Sequence, residues 1–102
     1  MRTLKLIVDG QVIKPDPKCD FSGLVPGSQA EFVFSKEWTS TPKVVAFYSR
    51  LGHEYTPQVL KDGRTCIIPV EALHKRIFKV QVIGKNGFET NRLEIDQKGG
   101  NV

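Results

Sequence analysis

The chain has 102 residues, 39% of them apolar, and 15 basic against 11 acidic side chains give a formal net charge of +4. That length holds one domain and not two, and an apolar share made mostly of Val, Ile, Leu and Phe excludes a disordered chain. The basic excess suits an acidic partner surface but is too mild to make nucleic acid the expected partner, and no apolar run approaches the ~20 residues of a membrane span.

In chain order, Leu4, Leu6 and Val8 alternate on one face of a first strand. Lys5 breaks that apolar stretch and Asp9-Gly10 ends it, so it reads as a strand and a turn and not as a signal peptide. Residues 14–28, with Pro15, Pro17, Gly23, Pro26 and Gly27, read as a long loop crossing between two sheets. Ser28-Gln-Ala-Glu31 matches a capping box, but Ala30, Phe32 and Phe34 alternate through it and assign a strand. Ser35 to Trp38 is expected to make one helical turn capped by Ser35. In residues 43–50, Val45 and Phe47 share one face, which leaves Tyr48 and Arg50 pointing outward. Gly52 marks a turn before residues 54–60, and Asp62-Gly63 and Asn86-Gly87 are hairpin dipeptides. Cys66-Ile-Ile runs as a strand to Pro69, which opens a short helix through Leu73 with Glu71 in its first turn and His74-Lys75-Arg76 at its end. Phe78, Val80 and Val82 oppose Lys79 and Gln81, and Leu93 and Ile95 alternate with Arg92, Glu94 and Asp96. The polar, glycine-rich stretch from Gln97 to Val102 reads as flexible, so the domain spans residues 1–97 and residues 98–102 form a tail. About eight short strands, each with one apolar and one wet face, predict an all-β antiparallel sandwich with one short helix near residues 69–74.

Catalytic patterns are missing from the sequence. His53 falls in a turn and His74 at a helix end, and the carboxylates Glu37, Glu54, Asp62, Glu71, Glu89, Glu94 and Asp96 scatter over turns and wet faces. No Gly-x-Ser-x-Gly, P-loop or His-Glu-x-x-His occurs, and no two of Cys19, Cys66, His53 and His74 sit at ligand spacing. The expectation is a non-enzyme without metal or cofactor. Cys66 is expected to face the core as a free thiol, with a Cys19–Cys66 disulfide as the alternative. Three residues are candidates for binding. Trp38 is either an aromatic platform or a lid packed on Phe34 and the Pro42 loop. Tyr48 and Arg50 are either a contact patch or a solvated outer face. Lys75, Arg76 and Lys79 read as a helix end followed by a wet strand, with a phosphate site as the lesser reading.

The order of these elements carries a resemblance. It runs from Phe34-Ser-Lys-Glu-Trp38 through Lys43-Val-Val-Ala-Phe47, Asp62-Gly63 and Cys66-Ile-Ile-Pro69-Val-Glu-Ala-Leu73 to Phe78-Lys-Val-Gln-Val82 and Thr90 to Ile95. Over about residues 25–97 this resembles the small immunoglobulin-like β-sandwich domains encoded in tail and baseplate regions of phages and prophages of Gram-positive bacteria. In that family the Trp is commonly followed by Asp-Gly and the Pro by Trp. Here Thr39-Ser40 and Val70 stand there, so no ligand site is carried over. The resemblance implies a non-enzymatic structural module assembling by protein–protein contact, in the virion or the cytoplasm of the host bacterium. Its expected partners are other virion or prophage proteins, or further copies of itself through open sheet edges. The alternative is a carbohydrate-binding module for a bacterial surface polymer, resting on Trp38 and Tyr48.

Overall fold

Alternation along the chain becomes two four-stranded sheets facing one core. The computed structural model describes residues 3–19, 24–85 and 87–97. Its strands are β1 (Thr3–Asp9), β2 (Val12–Pro15), β3 (Gln29–Phe34), β4 (Lys43–Ser49), β5 (Gln58–Val59), β6 (Thr65–Ile67), β7 (Ile77–Gly84) and β8 (Leu93–Asp96). One turn of 3₁₀ helix (Lys36–Trp38) precedes β4, and one turn of α-helix, α1 (Val70–Leu73), precedes β7. The sheets run β2-β1-β3-β6 and β5-β4-β7-β8. Leu4, Leu6, Val8, Ala30 and Phe32 of the first sheet meet Val45, Phe47, Phe78, Val80, Val82 and Ile95 of the second in one buried cluster. Each is an alternate residue on its strand, so a single period-two pattern fills the core from both sides.

Three expectations about the sheets and their ends are corrected. The first concerns strand direction. β1 and β3 are parallel, in register from Thr3↔Gln29 to Val8↔Phe34, while the other ladders are antiparallel. The β1–β2 hairpin places β2 on one side of β1, and the chain returns to the starting end of β1 before β3 begins. The long loop therefore joins two strands of one sheet and does not lead from one sheet to the other. It is pinned along β1 by the Asp16 amide donating to the Lys5 carbonyl at 3.0 Å and the Lys5 amide donating to Cys19 Sγ at 3.3 Å. The second concerns Ser35, which does not cap the 3₁₀ turn. Its hydroxyl instead accepts from the Gly10 amide at 2.9 Å. The third concerns Gln97, which is 3% exposed and part of the core architecture; residues 98–102 lie outside the described residues.

The turn chemistry is as expected in type and shifted by one place in the first hairpin. Asp9 pairs with Val12, so the two-residue loop is Gly10-Gln11 with Gly10 at φ +58°, the first-position glycine that such a loop requires. Asp62 (φ 54°) and Gly63 (φ 70°) make the primed turn between β5 and β6. At the third dipeptide, Gly87 donates to the Gly84 carbonyl at 3.1 Å; Asn86 lies outside the described residues. Pro69 stands one residue ahead of α1 and not within it. Cys66 is a buried free thiol, and Cys19 is half-buried. Among the described residues no helix is long and apolar enough to cross a membrane.

Candidate functional site

A groove opens at one end of the second sheet, where the end of β4 meets the start of β7. Its first wall is a tight hairpin. The Ser49 amide donates to the His53 carbonyl at 2.8 Å, the Gly52 amide to the Ser49 carbonyl at 3.0 Å, and the His53 amide to Ser49 Oγ at 3.0 Å. This closes a three-residue loop whose last member needs positive φ, and Gly52 supplies it at +96°. Arg50 and Leu51 are thereby held at the tip, and Leu51 is 91% exposed.

The second wall is the segment from α1 into β7. Ser49 pairs with Phe78, which brings Lys75, Arg76 and Ile77 opposite Arg50. Gln97 fixes this segment from beneath. Its side-chain amide donates to the Lys75 carbonyl at 2.6 Å and the Ala72 carbonyl at 3.4 Å, and its backbone amide donates to the Arg76 carbonyl at 2.7 Å. The Lys75 and Arg76 carbonyls just past α1 are satisfied in this way, and Gln97 adds a second donor to the Ala72 carbonyl, which also accepts from the Lys75 amide at 3.5 Å. Gln97→Ala is expected to lower stability by about 1–2 kcal/mol, the cost of leaving buried carbonyls unpaired. Urea titration measures the loss, and amide shifts should concentrate at residues 72–77.

The two walls enclose about 530 Å³, lined by Arg50, Leu51, Tyr55, Lys75, Arg76 and Ile77. Tyr55 packs partly against the core and holds its place through its amide, which donates to the Phe47 carbonyl at 2.8 Å. Arg76 is committed to Asp96, with Nε donating at 2.8 Å and Nη2 at 3.3 Å to the two carboxylate oxygens. This fork turns the guanidinium plane and leaves Nη1 directed away from Asp96. Arg50 and Lys75 have no side-chain hydrogen-bond or ion-pair partner among the described residues. The groove is thus apolar on its floor and cationic on both rims.

The residues singled out in the sequence do not assemble into one site. Trp38 is fully buried, with its ring 5.8 Å from Phe34 and 4.8 Å from Phe88, and its indole N–H donates to the Gly10 carbonyl at 2.7 Å. It is a lid, and no ring face is open for a platform. Tyr48 does lie on the outer face of its sheet, but it is only 5% exposed. The Arg92 guanidinium covers its ring at 3.8 Å, and its hydroxyl donates to Gln81 Oε1 at 2.8 Å. Burial pushes the phenol up, and the Arg92 charge opposes that shift. Gln81 in turn donates to the Thr90 carbonyl at 2.7 Å. Of the two readings of Tyr48 with Arg50, a contact patch or a solvated outer face, neither describes the covered Tyr48. Arg50 alone reaches the groove, joined there by Lys75 and Arg76, which the sequence presents as a helix end. Leu51, Tyr55 and Ile77 carried no signal except the exposed turn that Gly52 announces. Among the described residues no group of three His, Cys, Asp or Glu side chains is placed to hold a metal ion. Comparison with known protein families, with characterised proteins and with solved structures finds no match.

Proposed function

We propose that this chain is a non-enzymatic, immunoglobulin-like module of a phage or prophage tail or baseplate, acting through protein–protein contact. The tail and baseplate assignment is supported by the element order and motifs over residues 25–97. The immunoglobulin-like assignment is supported by strand order. The β3-β6 pair and the β5-β4-β7-β8 order correspond to the B-E pair and the C′-C-F-G order of that architecture. β1 departs from the pattern by running parallel to β3.

Fold is a poor guide to activity, so the contact reading rests on the groove. The observation that carries it is a nearly fully exposed Leu51 held on a closed hairpin beside two cations, Arg50 and Lys75, that have no side-chain partner among the described residues. Arg and aromatic side chains, here Arg50, Arg76 and Tyr55, are the types enriched at contact surfaces. The carbohydrate alternative rests on Trp38 and Tyr48, and neither ring has an open face. The test is mass spectrometry of particles released by induction of the cells that encode the chain. The chain should be present at the copy number of a structural protein. Its absence from particles, with the chain abundant in the same cells, would overturn the assignment.

A further inference from the structure

We infer that the groove takes an acidic, extended segment of a partner protein, with one bulky apolar side chain seated between Leu51, Tyr55 and Ile77 and flanking carboxylates on Arg50 and Lys75. This rests on the protein-contact reading above and adds the chemistry of the partner. The volume of about 530 Å³ lies in the usual range of ligand clefts, roughly 300–1,000 Å³. It accommodates a few side chains and not the face of a folded domain. The apolar part of the ligand is set by Leu51, whose exposure comes from a closed hairpin and not from a loose end.

The charge of the ligand is set by the rims. Arg50 and Lys75 have no side-chain partner among the described residues, and Arg76 presents Nη1 beyond its fork on Asp96. Negative groups on the ligand complete these cations, and Arg50 and Arg76 offer the planar donor geometry that matches carboxylates. A continuous polyanion fits less well. A nucleic-acid backbone is held by many phosphate contacts, whereas Asp96 sits against Arg76 and Glu54 lies next to Tyr55 in the chain, so its run of charge would meet both. A neutral sugar would leave the Arg50 and Lys75 charges unmatched and finds Tyr55 as the one aromatic ring of the lining.

The test is a titration of the isotopically labelled full chain, followed by amide chemical shifts, to millimolar probe. The probes are the blocked peptide Glu-Asp-Leu-Asp-Glu and its amide counterpart Gln-Asn-Leu-Asn-Gln. Shifts from the acidic peptide should cluster on residues 50–55 and 75–77, and the amide peptide should bind at least about tenfold more weakly. The double variant Arg50→Glu/Lys75→Glu should lose about tenfold or more in affinity while the rest of its spectrum is unchanged, since both side chains lie outside the core. Leu51→Asn should weaken binding with every charge intact. The inference is overturned if the acidic peptide moves no groove amide, if the two peptides bind alike, or if a short oligonucleotide or heparin fragment moves these amides and the peptide does not. Binding of the peptide by a chain absent from phage particles would remove the tail assignment and leave this inference standing. Presence in particles with no groove response would do the reverse.

Discussion

Trp38→Ala is expected to remove about 3–5 kcal/mol of folding stability, the range for deleting a large buried aromatic. Three observations place it there. The side chain has no exposure, Phe34 and Phe88 flank it and cannot collapse into the space without leaving their own contacts, and its N–H satisfies the Gly10 carbonyl at 2.7 Å. Small domains hold about 5–15 kcal/mol in total, so the variant should be partly unfolded at moderate urea. Circular dichroism is the appropriate readout, because the chain has one Trp and the substitution removes the fluorophore. Trp38→Phe separates the two contributions. It keeps most of the ring packing and leaves the Gly10 carbonyl without its donor, for a loss of about 1–3 kcal/mol. In the native chain, acrylamide should quench the single Trp slowly until the protein unfolds. Fast quenching, or a Trp38→Ala urea midpoint equal to that of the parent, would refute the lid and reopen a surface role.

The second large effect is expected at alkaline pH. Cys66, on β6 beside Ala30 of β3, is 5% exposed and part of the core, and burial pushes its thiol from the ordinary 9.0 up to about 12. In the unfolded chain the thiol ionises near its ordinary value, so between pH 9 and about 12 the unfolded state carries fewer protons than the native one. Stability is then fully present below pH 9 and falls as pH rises through that window, by up to about 1.4 kcal/mol per pH unit from this group. Tyr48, also raised by burial, acts in the same direction. Cys66→Val should therefore flatten the decline by about one proton without abolishing it, as read from urea midpoints across the window. The same burial makes Cys66 inert to alkylation at neutral pH, since the thiolate is the reactive form. Modification of native Cys66 at the rate of an unfolded thiol would contradict the assignment.

What the sequence disclosed follows the range of the interactions involved. Alternation through Leu4-Leu6-Val8 or Phe78-Val80-Val82 states which side chains share a face, and those faces are the buried ones. It does not state which strand lies alongside, and so the parallel β1–β3 ladder was not legible: an alternating strand reads the same in either direction. Tyr48 was assigned to the correct face of its sheet, yet its cover comes from Arg92 and Gln81, far away in the chain. Gln97 sits beside a glycine-rich run that reads as loose, and its burial comes from bonds to the Ala72, Lys75 and Arg76 carbonyls, more than 20 residues away in the chain. The groove was half legible. Arg50 and the Lys75-Arg76 pair stand out as cations, but their meeting depends on Ser49 pairing with Phe78, a register set by the whole β4–β7 ladder.

The parallel ladder also bears on how the chain reaches its native state. β1–β2 is joined by a two-residue turn, β7–β8 by eight residues, and both can close locally. β1–β3, β3–β6 and β4–β7 join segments far apart in sequence. Long closures cost chain entropy before any contact repays it, and topologies of this kind fold in roughly milliseconds to seconds. In a partly folded chain that lacks the β1–β3 ladder, the β1 backbone beside Leu4, Leu6 and Val8 is an open edge, where pairing with a wrong molecule is expected. β2, which stays at the sheet margin, carries Pro15 at its end, where an additional strand would need an amide hydrogen that proline lacks.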